Sequence, residues 1–181
     1  MLFKINLSNH YKIWFSKNPD VFLGFANQLR FAQMRKDNPQ IQITFIYSAS
    51  CLNEHAIQRL KTFCDNNQIS PLDFDSIDTK HMSENDKKLY AIAQEEIIKA
   101  KTNEGGNMAA ASDCVRFIIS IMQKYGIYSD FDVIINLPEN ILTPITVNGP
   151  IILPLNLKAD HCGYCNEIII VAYNPENPEQ I

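Results

Sequence analysis

The sequence predicts a single α/β domain, residues 1–181, built on a mostly parallel sheet flanked by helices. Strand and helix patterns alternate along the first third of the chain in the order β, α, β, α, which favours parallel strands joined by crossover helices. The composition, with 46% hydrophobic and 20% charged residues in a chain of 181, is ordinary for one globular domain with a sizeable core.

The first half of the chain supplies the alternating elements. A short apolar run predicts a strand over 11–16, and an Asn-Pro turn signal follows it. A helical pattern covers 21–36. Alternating polar and β-branched residues over 41–48 predict the second strand, and 53–67 predicts a helix that ends in an Asn pair.

A long amphipathic helix is predicted from Glu84 onward. Ser83 is its expected N-cap, and Asp86 follows three residues later as in a capping box. Two i, i+4 ion pairs are expected on its solvated face, Glu84 with Lys88 and Glu95 with Lys99.

The second half combines one more helix with several apolar strands. Residues 108–126 are apolar nearly all round, which places this helix in the interior, with Gly126 as its C-terminal stop. Strand character resumes over 127–136, and 144–156 and 166–173 add apolar strands broken by Pro and Gly.

The charge pattern excludes some classes of partner. A net charge of -4 without a Lys/Arg cluster argues against a nucleic-acid partner. The N-terminus lacks a signal-peptide h-region, and no apolar run is long enough for a transmembrane segment, so we expect a soluble protein. Five cysteines at scattered positions predict free thiols in a reducing compartment.

Two Asp-Phe-Asp triplets are candidates for a metal site. Asp73 and Asp75 follow a Pro in a region with loop signals, where we expect a solvated loop or a helix cap. Asp130 and Asp132 instead interrupt an apolar strand, where residues i and i+2 share one face. Adjacent carboxylates in an apolar setting need a positive partner, and hard oxygen ligands suit Mg²⁺ or Mn²⁺.

A second charged pair lies just upstream of the second triplet. Asp113 and Arg116 are three residues apart on one face of the apolar helix, which predicts a buried acid and a buried base aimed at one place. An intrahelical salt bridge that settles the helix in the core is the alternative interpretation. Three consecutive alanines before the pair indicate close backbone packing.

The string GNMAAASDCVRF, followed after the helix by YGIYSDFDV, resembles the signature of DXD-motif glycosyltransferases with a GT-A fold. It is most similar to the glucosyltransferase domain of the large clostridial toxins and to related bacterial effectors. The segment KIWFS, which contains Trp14, resembles the first strand of the same family. The resemblance covers roughly residues 11–136 and is strongest over 106–136.

The resemblance implies roles for specific residues around a UDP-sugar. Asp130 and Asp132 would bind the Mn²⁺ (or Mg²⁺) that bridges the diphosphate, with Asp132 the more direct ligand and Asp130 also near the ribose. Asp113 and Arg116 would hold hydroxyls of the donor sugar, with Arg116 also near the phosphates.

Two aromatic residues complete the implied donor site. Trp14, the only Trp of the chain, would stack on the uracil, and Tyr128 would support the nucleotide site. Transfer in the family is retaining. A glycosidase interpretation of the acids fits poorly, because two carboxylates so close on one strand leave no gap for a sugar between them.

The chain departs from the family pattern in two places. The segment between Arg116 and Tyr128 is one residue longer than expected, and no second Trp supplies the later Ser-Trp loop that closes the donor site. The sequence therefore fits the N-terminal part of a longer catalytic domain, a compact variant with another lid, or a domain that binds the donor without transferring it well.

Other sites and functions are weaker alternatives. The motif DHCGYC at 160–165 offers a zinc half-site without matching ligands elsewhere, so free thiols in a turn are favoured. A non-catalytic interaction domain with a relic donor site and a metal-dependent nucleotidyltransferase are the rival functions. The resemblance favours a metal-dependent hexosyltransferase that uses UDP-glucose or UDP-N-acetylglucosamine, with a host-protein acceptor reached after secretion into the host cytosol.

Overall fold

The computed structural model is an α/β fold, as the sequence predicts. Its elements in chain order are β1 (Phe3–Ile5), β2 (Asn9–Ile13), α1 (Phe25–Asp37), β3 (Gln42–Tyr47), α2 (Glu54–Asn66), β4 (Ser70–Asp73), α3 (Glu84–Thr102), α4 (Met108–Val115), α5 (Ile119–Tyr125), β5 (Ile127–Ser129), β6 (Ile145–Val147), β7 (Ile151–Ile152), β8 (Leu155–Lys158), β9 (His161–Tyr164) and β10 (Ile168–Val171). The structure describes residues 3–5, 7–133, 135–137, 145–149, 151–152, 155–158, 161–164 and 168–172.

A six-stranded sheet of order β4-β3-β2-β5-β10-β7 organises the domain. The strands from β4 to β5 are parallel, whereas β10 pairs antiparallel with both β5 and β7. The chain leaves β2 toward β3 on one side and later returns to pair β5 on the other side. The strand order therefore reverses at β2 and β5, which is where open α/β sheets place their ligands.

The two faces of the sheet are covered by different helices. On one face, Tyr11 and Ile13 pack with buried residues of α3, α4 and α5. On the other, Phe45 and Ile43 pack with α1 and α2. None of the helices in the described part of the chain has the length and apolar character needed to cross a membrane.

Helix α1 begins four residues later than the sequence predicts, at Phe25 rather than residue 21. Ser16 is the reason, because its buried hydroxyl donates to the carbonyl oxygens of Asn18 at 2.8 Å and Val21 at 2.6 Å. Those bonds fix 16–21 as a tight loop. The loop is also tied to α2, since Asn53 N donates to Pro19 O at 3.0 Å.

The predicted helix over 108–126 is two helices that meet at a break after Arg116. Asp86 of α3 explains the break, because its buried carboxylate accepts from Ile119 N and Ser120 N, both at 3.0 Å, and so caps α5. The C-terminal stop at Gly126 is confirmed. Its φ is 82°, and a Cβ there would lie 2.1 Å from Asn9 O.

The start of α3 is confirmed, but its side chains pair differently from the prediction. Ser83 accepts from Asp86 N as the N-cap, whereas the Asp86 carboxylate caps α5 instead of completing a capping box. Glu84 pairs with Lys87 at 2.9 Å, not with Lys88. The expected pair of Glu95 with Lys99 is present at 2.6 Å.

The described parts of the apolar segments predicted over 144–156 and 166–173 form the strands β6, β7, β8 and β10. β8 and β9 make a separate antiparallel hairpin, so 161–164 is strand rather than turn. Asp160 and Cys165 of the DHCGYC motif lie outside the described residues. Cys51, Cys64 and Cys114 are free thiols, as expected.

A buried lysine joins β2 to the end of β5. Lys12 is 2% exposed, and its Nζ donates to Ser129 O at 3.2 Å, Ser129 Oγ at 2.9 Å and Asp130 O at 2.7 Å. We call this group of bonds the lysine clamp. Burial lowers the pKa of Lys12 to about 8, while the nearby carboxylates of Asp130 and Asp132 oppose that shift.

The chain beyond Asp132 is held by a buried asparagine. Asn38 Nδ2 donates to Ile135 O at 2.7 Å, and Asn38 Oδ1 accepts from Leu137 N at 2.8 Å. Asn38 is fully buried after the C-terminus of α1. Its amide therefore pairs with the backbone of 135–137 as a neighbouring strand would.

Replacing Lys12 by Met should lower the free energy of unfolding by about 2 to 4 kcal/mol, because the oxygens of Ser129 and Asp130 lose a charged donor in the interior. Urea unfolding would measure this change. Lys61→Met, on the exposed surface of α2, is the matched control. Equal midpoints for the two variants would contradict a stabilising role for the lysine clamp.

His10 should make the stability depend on pH. Burial lowers the pKa of this imidazole from 6.5 to about 4, the nearby Leu7 backbone opposes the lowering, and the charge of Lys12 adds to it. In the unfolded chain the imidazole of His10 therefore takes up a proton near pH 6.5, whereas in the native state it does so only near pH 4. The contribution of the neutral imidazole to the free energy of unfolding is fully present above pH 6.5 and is lost as the pH falls toward 4.

The free energy of unfolding should fall by on the order of 3 kcal/mol over this range, which follows from the shift of the His10 pKa from 6.5 to about 4. Denaturant unfolding at a series of pH values would measure it. His10→Leu should flatten the profile in this window, whereas the exposed His81→Gln should leave it unchanged. A His10→Leu profile as steep as the wild type would refute this assignment.

Candidate functional site

A cleft of about 530 Å³ opens at the carboxyl ends of β2 and β5, where the strand order reverses. This volume is in the range of small-molecule sites. The cleft crosses the sheet edge from α1 on one face to α4 on the other. Its lining residues are Ile13, Trp14, Phe15, Lys17, Asn27, Arg30, Met108, Ala109, Ser112, Arg116, Tyr128, Asp130, Phe131 and Asp132.

The Asp-Phe-Asp triplet lies in a turn just after β5, not on the strand as predicted. β5 ends at Ser129, and Val133 N donates to Asp130 O at 3.2 Å across the turn. Phe131 anchors the turn, since its buried ring makes edge contacts with those of Phe31 and Phe45 at 5.3 and 6.0 Å. The two flanking carboxylates remain accessible from the cleft.

Asp130 is tied to the two residues that the sequence predicts beside it. Tyr128 Oη donates to Asp130 Oδ1, and Arg116 Nη1 lies 3.6 Å from the same oxygen. The guanidinium also stacks 4.9 Å from the centre of the Tyr128 ring. Burial, followed by the bond to Asp130, raises the pKa of Tyr128, so the phenol remains a donor at neutral pH.

Arg116 and Asp113 form the predicted ion pair, but only the arginine is buried. Arg116 is 7% exposed, whereas the Asp113 side chain is 52% exposed and does not line the cleft. The prediction of a buried acid is therefore wrong. Arg116 lies where the chain leaves α4 and breaks before α5, and that break turns its side chain toward Asp130.

Trp14 follows β2 directly and borders the cleft. Its backbone N donates to Ile46 O at 3.0 Å, which extends the pairing of β2 with β3 by one residue. Trp14 is 36% exposed, and its indole meets the Phe131 ring edge to face at 5.9 Å between ring centres. This contact leaves indole surface open to a planar ligand in the cleft.

The first Asp-Phe-Asp triplet is a structural cap, as predicted. Asp73 accepts from Ala49 N at 2.9 Å and Asp75 N at 3.1 Å. Asp75 accepts from Ser48 Oγ and Ser50 N, both at 2.8 Å. One oxygen of each carboxylate, Asp73 Oδ1 and Asp75 Oδ2, is therefore committed to two donors from the segments after β3 and β4.

Asp130 and Asp132 fit a divalent cation better than the first triplet does. Among the described residues, none lies within hydrogen-bond or ion-pair distance of the Asp132 carboxylate, and Asp130 uses mainly Oδ1 for its protein partners. The described part of the chain contains no group of three or more His, Cys, Asp or Glu residues placed to hold a metal. Two carboxylates plus oxygens from a ligand would suit Mg²⁺ or Mn²⁺.

The sequence did not reveal several polar residues at the cleft. Lys12 lies beneath the turn, and its signal was a charged residue inside the otherwise apolar strand β2. Lys17, Asn27 and Arg30 line the cleft from the loop after β2 and from α1. They carry no recognisable motif, because only the packing of α1 on the sheet brings them to the cleft.

Solved structures share this fold. A chain titled PaToxG Glycosyltransferase superposes with a TM-score of 0.65 and 20% identity over 94% of this chain and 56% of its own length. A structure titled as a transferase with two Cys-to-Ser substitutions gives 0.64 at 11% identity, covering 94% of this chain and 75% of that one. A further transferase structure gives 0.52 at 13% identity, with the same coverage. This chain thus spans little more than half of the PaToxG chain.

At these identities the structural likeness shows the fold alone. No curated protein sequence matches the chain. Residues 2–167, however, match the sequence profile of Glycosyltransferase family 88, and this match includes every residue that lines the cleft. The chain therefore belongs to Glycosyltransferase family 88.

Proposed function

We propose that the protein is a metal-dependent retaining glycosyltransferase that moves a hexose from a UDP-sugar to an acceptor hydroxyl. One observation carries this proposal. A single cleft at the reversal point of the sheet brings together an exposed indole, a buried arginine and two accessible carboxylates, namely Trp14, Arg116, Asp130 and Asp132. These groups match a planar base, an anionic leaving group and a divalent cation.

The two aromatic residues fit the nucleoside. Trp14 has indole surface open to the cleft, and Tyr128 presents its ring from the neighbouring strand. Stacking on an aromatic side chain is worth roughly 1 to 3 kcal/mol per base. We therefore assign the uracil to Trp14 and a supporting role in the nucleoside site to Tyr128.

The charged residues fit the diphosphate. Asp130 and Asp132 would hold Mn²⁺ or Mg²⁺, which when bound neutralises charge that develops on the departing diphosphate. Arg116 borders the cleft from the other side of Asp130 and adds a fixed positive charge. Because Arg116 is buried, its electrostatic effect is screened less than that of a surface arginine.

Asp113 acts on the site through Arg116. Its carboxylate accepts a hydrogen bond from Arg116 Nη2, which orients the guanidinium toward the turn. Its exposed position leaves the second oxygen available to a sugar hydroxyl. We propose that Asp113 orients the arginine and accepts from a hydroxyl of the transferred sugar where that sugar extends past the residues that line the cleft.

The arrangement suits transfer without a covalent enzyme intermediate. The acceptor oxygen bonds to the anomeric carbon on the face from which the diphosphate departs, and the bond from that carbon to the phosphate oxygen breaks. The acceptor proton passes to the leaving diphosphate. UDP-glucose and UDP-N-acetylglucosamine are the proposed donors, and a hydroxyl on a host protein, reached in the host cytosol, is the proposed acceptor.

Asp132→Asn should raise the Kd for UDP in the presence of Mn²⁺ by about tenfold or more, because an amide is a much poorer ligand for a divalent cation than a carboxylate. Asp75→Asn, which alters the other triplet, is the matched control and should leave binding unchanged. Calorimetric titration with UDP would measure both. Equal effects of the two substitutions, or none at position 132, would contradict the assignment.

The single tryptophan allows a direct test of the nucleotide site. Titration of the wild type with UDP should quench the Trp14 fluorescence in the presence of Mn²⁺ and much less without it, because uracil stacking and metal bridging act together. Trp14→Phe should abolish the signal. Weak quenching that does not depend on metal would indicate a relic donor site instead of a metal-dependent enzyme.

A further inference from the structure

The cleft contains two cations that the proposed roles leave unused. Among its described lining residues, Lys17, Arg30 and Arg116 are the basic side chains. Arg116 is committed to Asp113 and lies 3.6 Å from Asp130. No described carboxylate lies within 4 Å of the Lys17 or Arg30 side chain, so both are available to an anion in the cleft.

Lys17 is held beside the cleft by a well-braced loop. The Ser16 hydroxyl donates to two carbonyls of this loop, and Asn18 N donates back to Ser16 Oγ at 3.2 Å. Asp20 Oδ1 also accepts from Asn53 Nδ2 of the α2 N-cap at 2.5 Å. A loop tied at both its turn and its flank presents the lysine with little backbone freedom to lose on binding.

Arg30 is oriented by a neighbour on its own helix. Its Nη1 donates to Asn27 Oδ1 at 2.9 Å, one turn earlier on α1, and both residues line the cleft. The guanidinium keeps further donors in a planar fork that matches phosphate oxygens. The bond to Asn27 therefore restricts the position of the Arg30 guanidinium at the cleft.

We infer that Lys17 and Arg30 form a second phosphate-binding wall of the cleft and contact the diphosphate of the donor on the side opposite Arg116. This inference rests on the proposed function. The placement favours the diphosphate over an acidic acceptor, because both cations share one cleft of about 530 Å³ with Trp14 and the Asp130–Asp132 turn.

The test compares Lys17→Gln, Arg30→Gln and the double variant with Lys36→Gln. Lys36 is an exposed residue of α1 that does not line the cleft, so its substitution removes the same charge from the same helix. The probes are UDP and uridine, each with Mn²⁺ at low salt, measured by calorimetry. Circular dichroism and thermal unfolding verify that each variant is folded.

Each single variant should weaken UDP binding by about fivefold to tenfold, which is a charge-assisted hydrogen bond discounted for solvent exposure. The double variant should lose more, and the loss should shrink as salt is added. Uridine affinity should not change in any variant, because uridine lacks the phosphates. Lys36→Gln should bind UDP as the wild type does.

Several outcomes would overturn the inference. UDP affinity that is the same in the double variant and in Lys36→Gln would show that the wall does not meet the diphosphate. An equal loss of uridine and UDP binding would show a change in the nucleoside site instead. If a glutamate-rich peptide binds the wild type and loses affinity in the double variant while UDP does not, the wall recognises an acidic acceptor. A wild type that fails to bind UDP would refute the proposed function itself.

Discussion

The lysine clamp is the interaction on which the candidate site depends. Lys12 places an ammonium group in the interior, where a charge is costly unless it is fully hydrogen-bonded, and the end of β5 supplies three oxygens for it. These bonds fix the position of the backbone at Ser129 and Asp130, where the chain leaves the sheet and enters the Asp-Phe-Asp turn. They also keep a positive charge beneath two carboxylates that would otherwise repel each other.

The other residues of the site contact the Asp-Phe-Asp turn from the two faces of the sheet. Phe131 packs into the aromatic core on the α1 face, so Asp130 and Asp132 flank a buried anchor. Arg116 reaches the turn from the opposite face, at the break that Asp86 enforces between α4 and α5. Helices from both faces of the sheet thus meet over one strand end, and each contributes charge there.

The sequence predicted the fold class and most elements because their signals are local. Alternation marked β3, the Ser83 cap marked α3, and Gly126 marked the end of α5. The break at Arg116 was not predictable, because the residue that caps α5 lies 33 positions earlier in the chain. The late start of α1 was missed for a similar reason, because the hydrogen bond of the Ser16 hydroxyl to Val21 O holds residue 21 in the loop before the helix.

Only some of the residues at the site could be predicted from the sequence. Residues with a compound motif, such as Arg116, Tyr128 and Asp130, do meet in the structure. The strand assignment of Asp132 and the burial of Asp113 were wrong, because periodicity does not reveal where a short strand ends or which end of an ion pair faces solvent. The position of Arg30 at the cleft could not be predicted from the sequence, because it depends on how α1 packs against distant segments of the chain.

The asparagine that holds 135–137 gives the turn a second fixed end. With Lys12 at its entry, Phe131 in its middle and Asn38 at its exit, the turn is secured by groups other than the carboxylates it displays. Shape and chemistry are therefore separable at this position. Exchanging one carboxylate oxygen for an amide nitrogen therefore changes the groups that the turn displays and leaves Lys12, Phe131 and Asn38 in place to hold its backbone.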